Sequence, residues 1–330
     1  MHFLCYYQMM KFKIAVYCFL FFNLGLFLGR MFFNRPSEKM IESRLQKNYQ
    51  FINPLLECDT ANFSRDQNLD RLRNEVANYI KDQQTQNKIS FASVYFRDLN
   101  NGPWFGINEK ENFSPASLVK VPLMIAYLKL SESNPNLLST KLKYQSVSDS
   151  ISQNIIPEET LTPDQEYTIE ELIKRMIVYS DNRSYDLLNQ NITFDQLIRV
   201  YNDLGVDISK GLSNPNGDIL TVKSYASFFR ILFNSSYLSH DDSEKALKLL
   251  SQSTFTQGLV AGVPQSTKVS HKFGERNFTD TGIKQFHDCG IIYHPQKPYL
   301  LCVMTRGKDF NQLIPVIKQI SSTIYQTVSR

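Results

Sequence analysis

Three short groups of residues carry types and spacings that suit acyl transfer. The first is Ser117-Leu118-Val119-Lys120, with Ser117 and Lys120 three positions apart at the start of an apolar run over residues 121–128. On a helix, such a pair shares one face and lies within mutual reach. A desolvated lysine loses proton affinity and becomes a base near neutral pH. It can then take the proton of a serine hydroxyl, which is a poor nucleophile until something does so. A helix N-terminus adds positive potential and free N–H groups where an oxyanion forms. The same spacing also fits an unremarked first-turn serine and a lysine whose stem runs to the surface.

The second group is Ser180-Asp181-Asn182, and the third is Lys272-Phe273-Gly274. Ser180 suits a proton relay to a leaving nitrogen. Asn182 suits a substrate amide and the Lys120 side chain. Lys272 is expected on an edge strand facing the Ser117 helix, where it binds a substrate carboxylate and lowers the proton affinity of Lys120 further. Gly274 lets that strand approach the substrate closely. The backbone N–H groups of Ser117 and Glu275 are expected to form the oxyanion hole. Taken singly, Ser-Asp-Asn is a common helix-end tripeptide and Lys-Phe-Gly a common strand ending. Three such groups in this order, each on the element its role requires, favour chemistry.

The elements that must position them follow from periodicity. Leu69, Leu72, Val76, Tyr79 and Ile80 recur at helical spacing, which predicts a helix over 67–84. Residues 89–99 alternate and are rich in β-branched and aromatic types, so they read as a strand. Asn100-Asn101-Gly102-Pro103 is a turn, and 104–108 the returning strand. Ser114 is expected to be the N-cap of the Ser117 helix, with Pro115 in its first position. Helical patterning continues to about residue 250, including a capping box from Thr168 to Glu171. Residues 268–275, 285–294 and 298–307 then read as strands, and 310–328 as a closing helix. The fold expected is α/β, an α+β sandwich: a five-stranded antiparallel sheet with flanking helices, built from both ends of the chain, plus an all-α lobe.

The 330 residues carry 36 basic against 32 acidic side chains, too even a balance to argue for nucleic acid. There is no internal repeat. The first forty residues differ from the rest. Lys11 and Lys13 precede an apolar run over 14–29, broken by Asn23 and closed by Arg30, approaching the ~20 residues of a membrane span. No small-residue cleavage pattern follows, so an uncleaved N-terminal anchor over 1–33 is preferred to a cleaved signal segment. The catalytic part is then expected outside the cytoplasm, attached to the cell membrane by a single pass. Residues 34–65 read as a stalk, and 66–330 as the catalytic domain. None of the five cysteines has metal-ligand spacing, and no metal or cofactor is expected. A Cys58–Cys289 disulfide is favoured over Cys289–Cys302, on the ground that the stalk needs tethering. His271 and His287 are expected to be structural.

With these motifs in this order, the chain from about residue 66 resembles class A β-lactamase-like serine hydrolases of the penicillin-recognising superfamily. The resemblance implies Ser117 as the acylated nucleophile and Lys120 as the acylation base. It implies Ser180 and Asn182 as the second motif, and Lys272 with Gly274 as the third. The implied substrates are β-lactams or the D-alanyl stem peptides of peptidoglycan, and a monomer is expected. Two departures stand out. Phe273 occupies the place of the family's Thr or Ser. The family's Glu-x-x-Leu-Asn loop, whose Glu activates the deacylating water, has no counterpart, since no Glu occurs between Arg183 and Asp242. Asp207 and Asp218 are the substitutes at hand. The sequence thus supports acylation better than release. It leaves open a D,D-peptidase and a penicillin-binding sensor domain that is acylated once and held.

Overall fold

The computed structural model describes residues 17, 19, 21–25, 42–44, 49–58, 67–100, 102–145, 153–208 and 217–330. Two compact units divide the chain: 1–41 with 59–65, and 42–58 with 66–330. In the first, residues 17, 19 and 21–25 are helical and exposed. Most of the expected anchor, 1–33, lies outside the described residues. Among the described residues, no helix is long and apolar enough to cross a membrane.

The second unit is organised on a five-stranded antiparallel sheet. Its strands are β3 (Phe91–Asp98), β4 (Trp104–Ile107), β9 (Val269–Phe278), β10 (Ile283–Ile292) and β11 (Tyr299–Gly307), in the spatial order β4-β3-β11-β10-β9. Short pairs precede and interrupt it: β1 (Glu42–Arg44) with β2 (Leu55–Cys58), β5 (Asn112–Phe113) with β8 (Leu220–Thr221), and β6 (Lys141–Lys143) with β7 (Glu166–Thr168). Both faces of the main sheet are covered, which is why its middle strand β11 is a near-continuous apolar run. On β11, Tyr299, Leu301 and Val303 pack with one cluster, while Leu300, Cys302 and Met304 pack with the other. The first face carries α1 (Gln67–Thr85) and α8 (Phe310–Val328), whose Leu72, Val76, Ile80, Leu313, Ile317 and Ile320 are buried on it. The second face carries the helical lobe: α2 (Lys120–Ser133), α3 (Ile169–Val178), α4 (Asn182–Gln190), α5 (Phe194–Asp203), α6 (Val222–Asn234) and α7 (His240–Leu250).

Several local expectations hold. The capping box from Thr168 to Glu171 starts α3. The two strands before the helical insert and the three after it join one antiparallel sheet. Two expectations are corrected. Ser114 caps no helix. Its backbone is instead held by β10, its N–H donating to Gln285 Oε1 at 3.0 Å and its carbonyl accepting from His287 Nε2 at 3.0 Å. The disulfide joins Cys289 to Cys302, not to Cys58, because the β10–β11 register sets the two cysteines directly opposite one another. Residues 49–54, within the expected stalk, dock on the catalytic unit. Glu244 accepts from the backbone N–H of Gln50, Phe51 and Ile52, and Tyr293 donates to the Phe51 carbonyl.

Candidate active site

Ser117 sits on a single 3-10 turn, Ala116–Val119, that runs directly into α2. The turn is entered through Ala116, whose φ of 48° lies in the left-handed region. A non-glycine residue there costs about 1–3 kcal/mol and persists only where surroundings enforce it. The enforcement comes from β9 and β10. They hold Ser114 as described, and Gly274 packs against the turn from the edge strand. A Cβ on Gly274 would lie 3.1 Å from the Pro115 carbonyl oxygen and 3.3 Å from the Leu118 nitrogen. Gly274 thereby admits the nucleophile's own turn against the strand.

Lys120 is 1% exposed, the opposite of a lysine reaching for the surface. Its Nζ donates to the Ser180 carbonyl at 2.6 Å, to Asn182 Oδ1 at 2.7 Å and to Ser180 Oγ at 3.2 Å. These three acceptors are neutral. Burial therefore lowers its pKa to about 7, and the carboxylates of Asp181, Asp186 and Glu275 only partly oppose that shift. Desolvation is the cause, as expected of a buried lysine; the further lowering expected from Lys272 does not show on Lys120, and the lysine–lysine repulsion shows on Lys272 instead. Lys272, also fully buried, is pushed well below the ordinary lysine range, first by burial and then by the Lys120 charge. Its Nζ donates to Ser180 Oγ at 2.8 Å and to the Phe273 carbonyl at 3.0 Å.

Ser180 thus stands between the two lysines, with its hydroxyl in reach of both. It sits at the α3–α4 junction with φ of 57°, a second left-handed non-glycine residue in the site. Asp181, 1% exposed, fixes that junction as the N-cap of α4, accepting from the Ser184 N–H and hydroxyl and from Thr160 Oγ1. Asn182, half-buried beside it, is turned to Lys120. The Phe273 ring borders this cluster, its centroid 4.2 Å from Lys272 Nζ, and packs on its other neighbours Phe255 and Phe286.

The structure therefore brings together Lys120, Ser180, Asn182 and Lys272 by direct hydrogen bonds, with Ser117 and Gly274 on the adjoining turn and strand. The Glu275 side chain leaves the cluster and accepts from the backbone N–H groups of Asn154 and Ile155, each at 2.8 Å. His271 pairs with Asp288 at 2.8 Å, and His287, its pKa lowered by burial to about 4, donates to Ser114; both serve the scaffold. Asp218 is engaged by Gln285 and Arg306. Among the described residues, no group of three or more His, Cys, Asp or Glu could hold a metal ion. Sequence reasoning missed Gln153, which donates to the Ser180 carbonyl at 3.1 Å, and the carboxylate role of Glu275. No motif or period marks either residue.

Comparisons with known proteins agree with this fold. A variant of PBP-A, solved as an acyl-enzyme complex with penicillin G, is similar in fold: TM-score 0.66, 21% identity, covering 79% of this chain and 97% of that one. The TLA-1 extended-spectrum β-lactamase gives 0.69 at 19% identity, covering 80% and 100%. A class A β-lactamase from Bacteroides cellulosilyticus DSM 14838 gives 0.67 at 19%, covering 80% and 99%. No functionally curated protein matches the sequence. The profile of the Beta-lactamase enzyme family matches residues 71–328, which contain the whole cluster built around Ser117 and Lys120. The chain belongs to that family and is a serine hydrolase.

Proposed function

We propose that the protein forms an acyl-enzyme on Ser117 with β-lactams or D-alanyl peptides and releases it slowly. The observation that carries the first half is Lys120: buried, bonded only to neutral acceptors, and poised near pKa 7 one helical turn from Ser117. In the acylation step, Ser117 Oγ attacks the substrate carbonyl and its proton passes to neutral Lys120. The carbonyl oxygen takes the negative charge beside the Ser117 and Glu275 N–H groups. Collapse breaks the carbon–nitrogen bond and forms the Ser117 ester. The proton reaches the leaving nitrogen from Lys120 through the Ser180 hydroxyl, which lies between Lys120 and Lys272. Asn182 offers its amide to the substrate, and Lys272 holds the Ser180 hydroxyl from the β9 side, where a substrate carboxylate is received.

The second half rests on carboxylates. No Glu occurs between Arg183 and Asp242. Of the acids acting on Lys120, Asp181 is committed to the α4 N-cap and Glu275 to Asn154 and Ile155. General-base assistance is typically worth ~10²–10⁴-fold, so its lack lets the ester accumulate. The same feature favours a second reading, a penicillin-binding sensor domain held in the acylated state. The apolar run over 14–29 supports a single-pass anchor that places the monomeric domain outside the cytoplasm.

Intact-mass measurement after mixing with a chromogenic cephalosporin tests the proposal. The expected result is a burst near one equivalent of adduct, slow turnover afterwards, and no adduct on Ser117→Ala. Adduct persisting on Ser117→Ala would sink the nucleophile assignment. Fast hydrolysis without a burst would overturn slow release, and complete hydrolysis at a slow steady rate separates the enzyme from the sensor.

A further inference from the structure

Segment 153–156 links the two walls of the cleft. At one end, Gln153 Nε2 donates to the Ser180 carbonyl, the same oxygen that accepts from Lys120. One and two residues on, Asn154 and Ile155 donate their backbone N–H groups to Glu275 Oε1 on the edge strand β9. Ile155 packs against the apolar cluster that contains Phe255 and Phe273. The backbone therefore runs from the helical lobe to the Glu275 side chain of β9 and the apolar cluster beside it. Ile156 stands 82% exposed on it.

The two attachments are unequal. Towards the lobe, the following residues are tied repeatedly. Glu159 pairs with Arg175 and accepts from Tyr179, Thr160 donates to Asp181, and the Leu161 carbonyl accepts from Arg183. Towards the sheet, the hydrogen bonds shown for 153–156 converge on one carboxylate oxygen of Glu275. Backbone N–H bonds to a carboxylate are charge-assisted and strong, but here they depend on a single side chain.

We propose that segment 153–156 is a bridge across the cleft, latched by the Glu275 carboxylate, and that it selects acyl donors by the size of the group they carry beyond the reactive carbonyl. This rests on the acylation of Ser117 proposed above. A donor lying between Ser180 and β9 meets the bridge at that end of the cleft, and Ile156 offers its side chain an apolar contact at the mouth. Compact donors fit with the latch closed. Bulky ones require it to open.

The test uses the full chain as wild type, Glu275→Ala and Glu275→Gln. Amide exchange at Asn154 and Ile155 is expected to be about tenfold faster or more in Glu275→Ala, and intermediate in Glu275→Gln, which keeps the acceptor oxygen but not the charge. Unchanged exchange overturns the latch. Acylation rate constants are then measured with two fluorescent penicillins, one with a compact and one with a bulky acyl side chain. The bulky-to-compact ratio is expected to rise roughly tenfold in Glu275→Ala. Any change at the Glu275 N–H affects both probes and cancels in the ratio. An unchanged ratio overturns selection by the bridge even where exchange has quickened. A wild-type chain labelled by neither probe overturns the acylation reading and the selection with it, while the latch still stands or falls on the exchange rates.

Discussion

Two buried polar clusters lie on neighbouring stretches of β9, and they are built on opposite principles. In one, Lys120 and Lys272 are buried against neutral oxygens: the Ser180 carbonyl and hydroxyl, Asn182 Oδ1 and the Phe273 carbonyl. In the other, one residue away, His271 faces a carboxylate directly, and both oxygens of Asp288 are used, by His271 Nδ1 and the Leu259 N–H. A buried cation without a carboxylate in contact is held at a cost to stability, which it escapes by giving up its proton. A buried imidazole set directly against a carboxylate whose two oxygens are both used serves the fold. The contrast explains how adjacent residues, His271 and Lys272, come to have such different work.

The comparison can be broken from either side. The largest expected effect is on Lys120→Arg, which keeps the charge but cannot give up its proton. Acylation of Ser117 should fall by about 10²–10⁴-fold with the circular dichroism spectrum retained. A rate near wild type would show that the lysine serves only as a cation. Next, Asp288→Ala should destabilise the domain by about 3–5 kcal/mol in urea titration, since it orphans both His271 and the Leu259 N–H. A loss under about 1 kcal/mol would mean that the pair is not the structural counterpart drawn here. The smallest effect is the most diagnostic. Lys272→Met removes a buried cation and should raise stability by about 1 kcal/mol while labelling of Ser117 is lost. Destabilisation of the same variant would place Lys272 with the scaffold.

The residues of the site were legible in the sequence because acyl transfer restricts residue type at a few closely spaced positions. Ser117, Lys120, Ser180, Asn182 and Lys272 could be singled out before any element was placed. The sheet was legible because segments rich in β-branched and aromatic residues, bounded by turn signals, mark its strands. What could not be read depends on register or on contacts without a period. The Cys289–Cys302 disulfide follows from the pairing of β10 with β11, which the turn between them does not announce. Ser114 looks like an N-cap, but the left-handed Ala116 turns the chain into a 3-10 start and leaves Ser114 to Gln285 and His287. Phe273 reads as a lost hydroxyl, whereas its ring is a core residue packed on Phe255 and Phe286. The bridge over 153–156 has neither motif nor periodicity, and only the Glu275 carboxylate reveals it.

The acid–base state of Lys120 also reaches beyond the reaction. Its pKa is about 7 in the folded chain, against 10.5 for an ordinary lysine. Between those values the unfolded chain binds a proton that the folded chain does not, so stability rises with pH across that window. The penalty is full below about pH 7 and fades towards 10.5. A wild type that loses stability relative to Lys120→Met as pH rises from 7 would contradict the sign of the shift. The most direct measurement is the pH dependence of the acylation rate constant for wild-type protein with a fluorescent penicillin. The account predicts a rate that climbs about tenfold per pH unit on the acid side and levels off above about pH 7, as Lys120 becomes neutral. A rate that stays flat across that pH would contradict it, because the base at Ser117 would then not be a lysine tuned by burial.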